Sequence, residues 1–172
     1  MARSVGATLK TLSALSFLLA CAALLSACGG GSDSLDGRAA SLTVTNASVS
    51  GLDGAYGDGN INAIEVTKLP ATGTDPEMCS FGFDGADRVG GDGTASGTVR
   101  YATNADSLYR LILNVRGREF ATANGDGDDT DVHHSRDYLE IVNKRLTATD
   151  GTGDTLRVTG LLTLRGNRPA GC

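Results

Sequence analysis

The chain contains no tryptophan, three prolines and only 5% aromatic residues among its 172 residues. Its hydrophobic core must therefore be built mainly from Leu, Val, Ile and Ala. After residue 40 no window shows a long apolar stripe at helical spacing, so a helical bundle is not the expected fold. Glycine is abundant instead: 24 residues, about twice the average usage of roughly 7%, predict many tight turns.

Basic residues are outnumbered by acidic ones, 15 to 20, which gives a formal net charge of −5. Arg3 and Lys10 lie in the first 27 residues, where no acid occurs, so the rest of the chain has 13 basic residues against 20 acidic ones and a net charge of −7. The arginines are scattered singly along the sequence, without the basic cluster that neutralises phosphates. We therefore expect no nucleic-acid partner. The length predicts one domain with appendages.

The first 27 residues have the architecture of a signal peptide. Arg3 and Lys10 give a positive start, and residues 12–27 form an apolar run that ends in small residues. The run is about 16 residues long, whereas a membrane-spanning helix needs about 20 apolar positions. We therefore predict that residues 1–27 are a cleaved leader.

The leader closes on Leu25-Ser26-Ala27-Cys28, which resembles the lipobox of bacterial lipoproteins. The resemblance covers only the leader. It implies cleavage between Ala27 and Cys28 and attachment of diacylglycerol to the Cys28 thiol, which would hold the protein to a membrane. Two or more acyl chains anchor stably, where one binds only marginally. The alternative is an ordinary secretory signal that is cut near the same place.

Residues 28–40 are poor in apolar side chains and have three glycines directly after Cys28, which predicts a flexible tether. A tether of this length has a root-mean-square span of roughly 20 Å. Gly29 stands where the family's sorting pattern in many two-membrane bacteria has Asp for retention in the inner membrane. The resemblance therefore implies an outer-membrane lipoprotein whose domain faces the periplasm, with the cell surface as the alternative.

Residues 41–172 show the alternation of apolar and polar positions that is typical of β-strands. Residues 138–148 and 155–164, joined by a segment rich in turn formers, are predicted as a hairpin. In residues 108–115 we expect Tyr109 to share one side with Leu111. Residues 61–69 are predicted as one strand with Ile64 and Val66 on the same side. Seven or eight strands in one domain predict an all-β fold, a small antiparallel β-sandwich or β-barrel.

Four cysteines occur in the chain. The lipobox resemblance implies that Cys21 leaves with the leader and that Cys28 is lipidated. Only one pairing then remains, between Cys79 and Cys172. Because an exported protein meets an oxidising compartment, we predict a disulfide between them. The alternative is a pair of free thiols, since sequence does not show whether the two side chains meet.

Two acidic segments are candidate calcium sites. Residues 58–65 resemble the second half of a calcium loop of the EF-hand or dockerin type, which implies Asp58 and Glu65 as ligands. The first half of that pattern is missing, and the alternative is a Gly-rich turn before a strand. Residues 124–131 carry four carboxylates, whose oxygens suit calcium or magnesium, although a solvated acidic loop is the alternative. These carboxylates belong to Asp126, Asp128, Asp129 and Asp131.

Motifs for catalysis are not evident in the sequence. It has no Gly-x-Ser-x-Gly element, and its two histidines, His133 and His134, are adjacent and would point to opposite faces of an extended chain. We therefore expect a protein that is not an enzyme and needs no cofactor, with a hydrolase that uses His133 or His134 as its base as the alternative. The expected function is a lipid-anchored domain that binds or scaffolds an envelope protein or a small ligand. A calcium-dependent binding module and a carrier of a small apolar ligand are the alternatives.

Overall fold

The structure, a computed structural model, describes residues 40–59, 61–164 and 167–172. Within them lie eleven β-strands and one 3₁₀ helix, which confirms the all-β fold class. No helix in these ranges is long and apolar enough to cross a bilayer. The elements are β1 (Ser41–Thr45), β2 (Gly54–Tyr56), β3 (Asn62–Ala63), β4 (Thr67–Leu69), β5 (Met78–Asp87), β6 (Thr94–Ala102), β7 (Leu108–Val115), β8 (Arg118–Ala121), β9 (Thr130–His133), the 3₁₀ helix (His134–Arg136), β10 (Tyr138–Ala148) and β11 (Thr155–Thr163).

One antiparallel sheet contains all of these strands and curls into a half-barrel. Hydrogen-bonded neighbours follow the order β2, β1, β11, β10, β8, β7, β6, β5 and β3, with β4 added to β5 and β9 added to β10. Of the two architectures that the sequence allowed, the single curled sheet is therefore the one formed, rather than a sandwich of two sheets.

The edge of β5 that faces away from β6 is covered by three short strands in turn. β4 pairs with the start of β5 and β3 with its second half. Tyr56 of β2 then forms an isolated bridge with Arg88, directly after β5. The Gly57 N–H donates a hydrogen bond of 2.8 Å to the Asp87 carbonyl beside this bridge. Through these contacts β2, at one end of the strand order, meets the chain directly after β5, near the other end.

The segment predicted as one strand over residues 61–69 is two strands, β3 and β4. Val66 is buried as expected, but Ile64 is 53% exposed, so the prediction that they share a side was wrong. The structure has more than seven or eight strands because β2, β3, β4 and β9 have two to four residues each. Runs of this length are too short for alternation to be recognised.

The core lies on the concave side of the sheet and contains no tryptophan, as the composition requires. Its largest fully buried side chains come from eight of the strands: Leu42, Tyr56, Phe83, Tyr101, Leu111, Leu113, Phe120, Leu139, Ile141, Leu146, Leu156 and Leu162. Gly97 allows a close approach between strands beside this core. A Cβ there would lie 2.3 Å from the Ile112 carbonyl oxygen and 2.7 Å from the Phe83 ring.

A bulge in β7 changes which side chains point inward. Arg100 pairs with Arg110 and Tyr101 pairs with Leu108, so Tyr109 has no partner in the ladder. Leu108 is buried, whereas Tyr109 lies on the outer face. The prediction that Tyr109 shares a side with Leu111 was therefore wrong, because an extra residue in one strand inverts the alternation beyond it.

The hairpin of β10 and β11 is confirmed with the predicted bounds to within one residue. Its register shifts between Ile141 and Lys144, and Asn143 in this bulge adopts a left-handed backbone with φ of 53°. The consequence is that Lys144 points inward, and the residue is only 2% exposed.

Candidate functional site

Four arginines occupy the outer face of the sheet in two directly opposed pairs. Arg100 of β6 pairs in register with Arg110 of β7, and Arg145 of β10 pairs with Arg157 of β11. Arg100, Arg145 and Arg157 each lie between two buried neighbours, and Arg110 lies between the bulge at Tyr109 and buried Leu111, which places all four on the convex side. We call these four residues the arginine row.

The two pairs lie at one level of the sheet. Ala121 of β8 pairs with Ile112 of β7 on one side and with Thr147 of β10 on the other. Arg110 lies two residues before Ile112, and Arg145 lies two residues before Thr147. Because β7 and β10 run in the same direction, both arginine pairs are displaced from Ala121 toward the same end of the sheet. Four strand-to-strand steps separate β6 from β11 by way of β7, β8 and β10. At about 4.8 Å a step, the row extends roughly 19 Å across the outer face.

The arginine row lacks acidic ion-pair partners in the described chain. No described carboxylate forms an ion pair with any of its four members. Like charges directly opposite each other on neighbouring strands are destabilising, so this arrangement is unfavourable for the isolated fold. Beside the arginine row, the next outward-facing position on each strand forms an adjoining line of paired residues. These residues are small, hydroxylic or apolar: Gly82, Thr98, Ile112, Ala121, Thr147 and Thr155.

Two of the guanidinium groups are held in place by neutral partners. Arg110 Nη1 donates to Asn124 Oδ1 at 3.2 Å, and Arg157 Nη1 donates to the Asn143 carbonyl at 2.7 Å. The Nε atoms of Arg100 and Arg110 are buried and have no hydrogen-bond partner in the described chain. The row therefore keeps donor capacity that the domain itself does not use.

The β6 end of the row is bordered by a tyrosine and an aspartate. Tyr109 donates a hydrogen bond of 2.5 Å to Asp75 Oδ1. That hydrogen bond raises the pKa of Tyr109, while a hydrogen bond with Asn124 and the positive charge of Arg100 act in the opposite direction. Asp75 is thus the carboxylate that lies near the row, and it is engaged by the phenol.

The acidic segment predicted as a cation site surrounds a lysine ammonium. Lys144 Nζ donates to Asp126 Oδ1 at 2.5 Å, to the Asp126 carbonyl at 3.0 Å and to the Asp128 carbonyl at 2.6 Å. These three contacts use all three ammonium protons. Asp129 and Asp131 are exposed. The structure therefore brings a protein cation, rather than converging carboxylates, into the middle of this loop.

The other predicted ligands, Asp58 and Glu65, are both exposed, Asp58 in a turn and Glu65 between β3 and β4. Across the described ranges, no three His, Cys, Asp or Glu side chains come together as a possible ligand set. Calcium binding at either segment stays a prediction.

The two histidines lie in different surroundings. The His133 ring packs on Tyr138 at a centroid distance of 4.3 Å, whereas His134 contacts the Tyr101 ring edge-on at 5.5 Å. His134 Nε2 lies 3.9 Å from Asp106 Oδ1. In the described part of the chain, no hydrogen bond joins either ring to a hydroxyl or thiol that it could activate.

The predicted disulfide joins Cys79 of β5 to Cys172, with the sulfurs 2.03 Å apart. The Cys172 carbonyl accepts a hydrogen bond of 2.9 Å from the Tyr101 hydroxyl. The bridge therefore ties residues 167–172 to the core. Cys28, the predicted lipidation site, lies outside the described residues.

Comparison of the chain with protein-family models, curated proteins and solved structures found no match. The arginine row is the surface feature that sequence reasoning missed, because its members are 10, 35 and 12 positions apart along the chain. The arginines are scattered singly along the sequence, but strand register gathers four of them on one face of the sheet. The register of the β6–β7 hairpin would have predicted the Arg100–Arg110 pair, and the register of the β10–β11 hairpin would have predicted the Arg145–Arg157 pair.

Proposed function

We propose that this chain is a lipid-anchored lipoprotein of the bacterial outer membrane whose β domain binds or scaffolds another envelope component and does not catalyse a reaction. The lipobox that ends at Cys28 supports the anchor. The arginine row supports the binding role, since it is a set of charged side chains on strands whose charge no described carboxylate neutralises by an ion pair.

The filled interior favours binding on the outside of the domain. Tyr56, Tyr101, Phe83 and Phe120 are all fully buried and occupy the space that a carrier would leave for its ligand. Small barrels of this kind are packed by their own side chains, whereas carriers keep an internal cavity. The carrier of a small apolar ligand is accordingly the less well supported alternative.

The anchor is tested by metabolic labelling with radioactive palmitate in a two-membrane bacterium that expresses the full chain. We expect the wild type and Cys21→Ala to take up label and to sediment with outer membranes, because Cys21 leaves with the leader. Cys28→Ala should do neither. Label or membrane association retained by Cys28→Ala would overturn the anchor, and protease treatment of intact cells separates a periplasmic domain from a surface domain.

A further inference from the structure

We propose that the arginine row binds a linear acidic polysaccharide, whose successive carboxylate or sulfate groups pair with Arg100, Arg110, Arg145 and Arg157. This inference deepens the proposed function and rests on it for the place of the domain in the envelope. The chemistry of binding is argued from the side chains on the outer face of the sheet.

The residue type fits this ligand. A guanidinium presents parallel N–H donors that match the two oxygens of a carboxylate or sulfate, and it is less strongly hydrated than the ammonium of lysine. Side chains directly opposite each other on neighbouring strands have Cβ atoms about 5 Å apart. Arg100 and Arg110 therefore offer two adjacent anion sites, and Arg145 and Arg157 offer two more at the other end of the row.

The groups that border the row fit a sugar chain. Ser80 pairs with Arg100 at one end of the line, and Thr45 pairs with Arg157 at the other. Thr98, Thr147 and Thr155 follow in the adjoining line. Their hydroxyls can both donate and accept hydrogen bonds, as sugar hydroxyls do. An extended chain lying along the row thus meets positive charge and hydroxyls together.

Other polyanions fit less well. Single-stranded nucleic acid is bound where several aromatic side chains alternate with basic ones and stack the bases. The aromatic residue beside the row in the described chain is Tyr109, and its hydroxyl is hydrogen-bonded to the Asp75 carboxylate, which would repel phosphates. A bilayer is flat, whereas the row follows the convex side of a curled sheet, so a membrane surface would reach only part of it. A flexible polysaccharide follows the curve.

The carboxylates nearest the row are hydrogen-bonded to other side chains. Asp75 is hydrogen-bonded to Tyr109, and Glu119, two residues along β8 from the Ala121 line, is hydrogen-bonded to Thr149 at 2.9 Å. Most of the other acidic residues lie in the loops and turns at the two ends of the half-barrel. Asp131 and Glu140, which pair on β9 and β10, add negative charge to the outer face outside the row. An anionic chain is thus attracted to the arginine row and repelled on either side of it, which orients it across the strands.

Binding is measured by isothermal titration of the full-length, detergent-solubilised protein with polygalacturonate, heparin and neutral dextran. We expect binding of one or both acidic polymers and none of dextran, with affinity falling steeply as salt rises from about 50 to 200 mM. Polygalacturonate and heparin separate a carboxylate from a sulfate preference. Arg100→Gln, Arg110→Gln and Arg145→Gln should each weaken binding about fivefold.

The matched control is Arg136→Gln, an exposed arginine on the 3₁₀ helix that changes the net charge equally and should leave the affinity unchanged. Arg157→Gln also breaks a hydrogen bond within the hairpin, so Arg145→Gln carries the test at that end, with circular dichroism confirming its fold. Equal weakening by Arg136→Gln, or no acidic polysaccharide bound at low salt, overturns the proposal. So does binding only to phosphatidylglycerol vesicles or to oligo-dT. Palmitate labelling of the same protein shows independently whether the anchor stands.

Discussion

Asp126→Ala should destabilise the domain more than Lys144→Met, although both substitutions remove the same ion pair. The Lys144 side chain is 3% exposed and directs its ammonium at Asp126 and at two carbonyls of the same loop. Removal of the carboxylate leaves that ammonium buried without its counter-charge. Methionine removes the charge and keeps most of the apolar stem in the core.

The structure sets the size of this difference. Breaking a fully buried ion pair by removing one partner costs about 3–5 kcal/mol, and a hydrogen bond to a charged group contributes about 1.5–3 kcal/mol. Because the Asp126 side chain is 36% exposed, solvent screens the pair and the lower end applies, about 1.5 kcal/mol for Asp126→Ala. Lys144→Met frees two carbonyls on a partly exposed loop that water can reach, so we expect a loss below about 1 kcal/mol.

Urea unfolding of the disulfide-bonded protein, followed by circular dichroism, measures both values. Asp131→Ala is the control, since it removes an exposed carboxylate from the same segment and should change stability by less than about 0.5 kcal/mol. A Lys144→Met variant that loses as much stability as Asp126→Ala would refute the reasoning, and so would an Asp126→Ala variant that matches the control.

Three further predictions concern the disulfide, a buried phenol and a glycine. Cys172→Ser should lower the free energy of unfolding by up to about 4.7 kcal/mol, because the bridge to Cys79 spans 93 positions of the chain. Two alkylatable thiols in the wild-type protein before reduction would contradict the bridge. Burial raises the pKa of Tyr101 to about 12, so the unfolded phenol ionises near pH 10 while the folded one stays protonated, and stability should fall between about pH 10 and 12. Ultraviolet titration and urea melts check this, and an unchanged fall in Tyr101→Phe would count against it. Gly97→Ala should cost about 3 kcal/mol through its clash with the neighbouring strand, while Gly91→Ala, whose Cβ would meet its nearest neighbour at 3.5 Å, should cost less than about 0.5 kcal/mol; equal thermal midpoints would disprove the close approach.

Much of the fold follows from the sequence because strands and turns are locally encoded. The alternation in residues 155–164 and the turn formers before them were enough to predict the β10–β11 hairpin. Elimination among four cysteines was enough to predict the Cys79–Cys172 bridge. In both cases the information lies within one short segment or in a count of residues.

The features that failed depend on register, which is a property of two strands together. Tyr109 lies opposite to the side that simple alternation predicts because it forms part of a bulge, and a bulge is visible only against the partner strand. A second bulge, before Lys144, turns that side chain inward. The arginine row needs the same register information across four neighbouring pairings. The contact of Lys144 with the acidic loop depends on tertiary structure in the same way, since the lysine belongs to a strand that follows the loop in the sequence.

The short strands along β5 also bear on how the protein behaves at high local concentration. An exposed edge of a long strand offers a row of unpaired N–H and C=O groups that can recruit another chain into an intermolecular sheet. Here β5, ten residues long, presents neither edge, because β6 covers one and β4, β3 and the Tyr56 bridge cover the other. What faces solvent beyond β5 is two strands of only two and three residues, too short to nucleate such a sheet. Many copies crowded side by side are thus protected from aggregating through this edge.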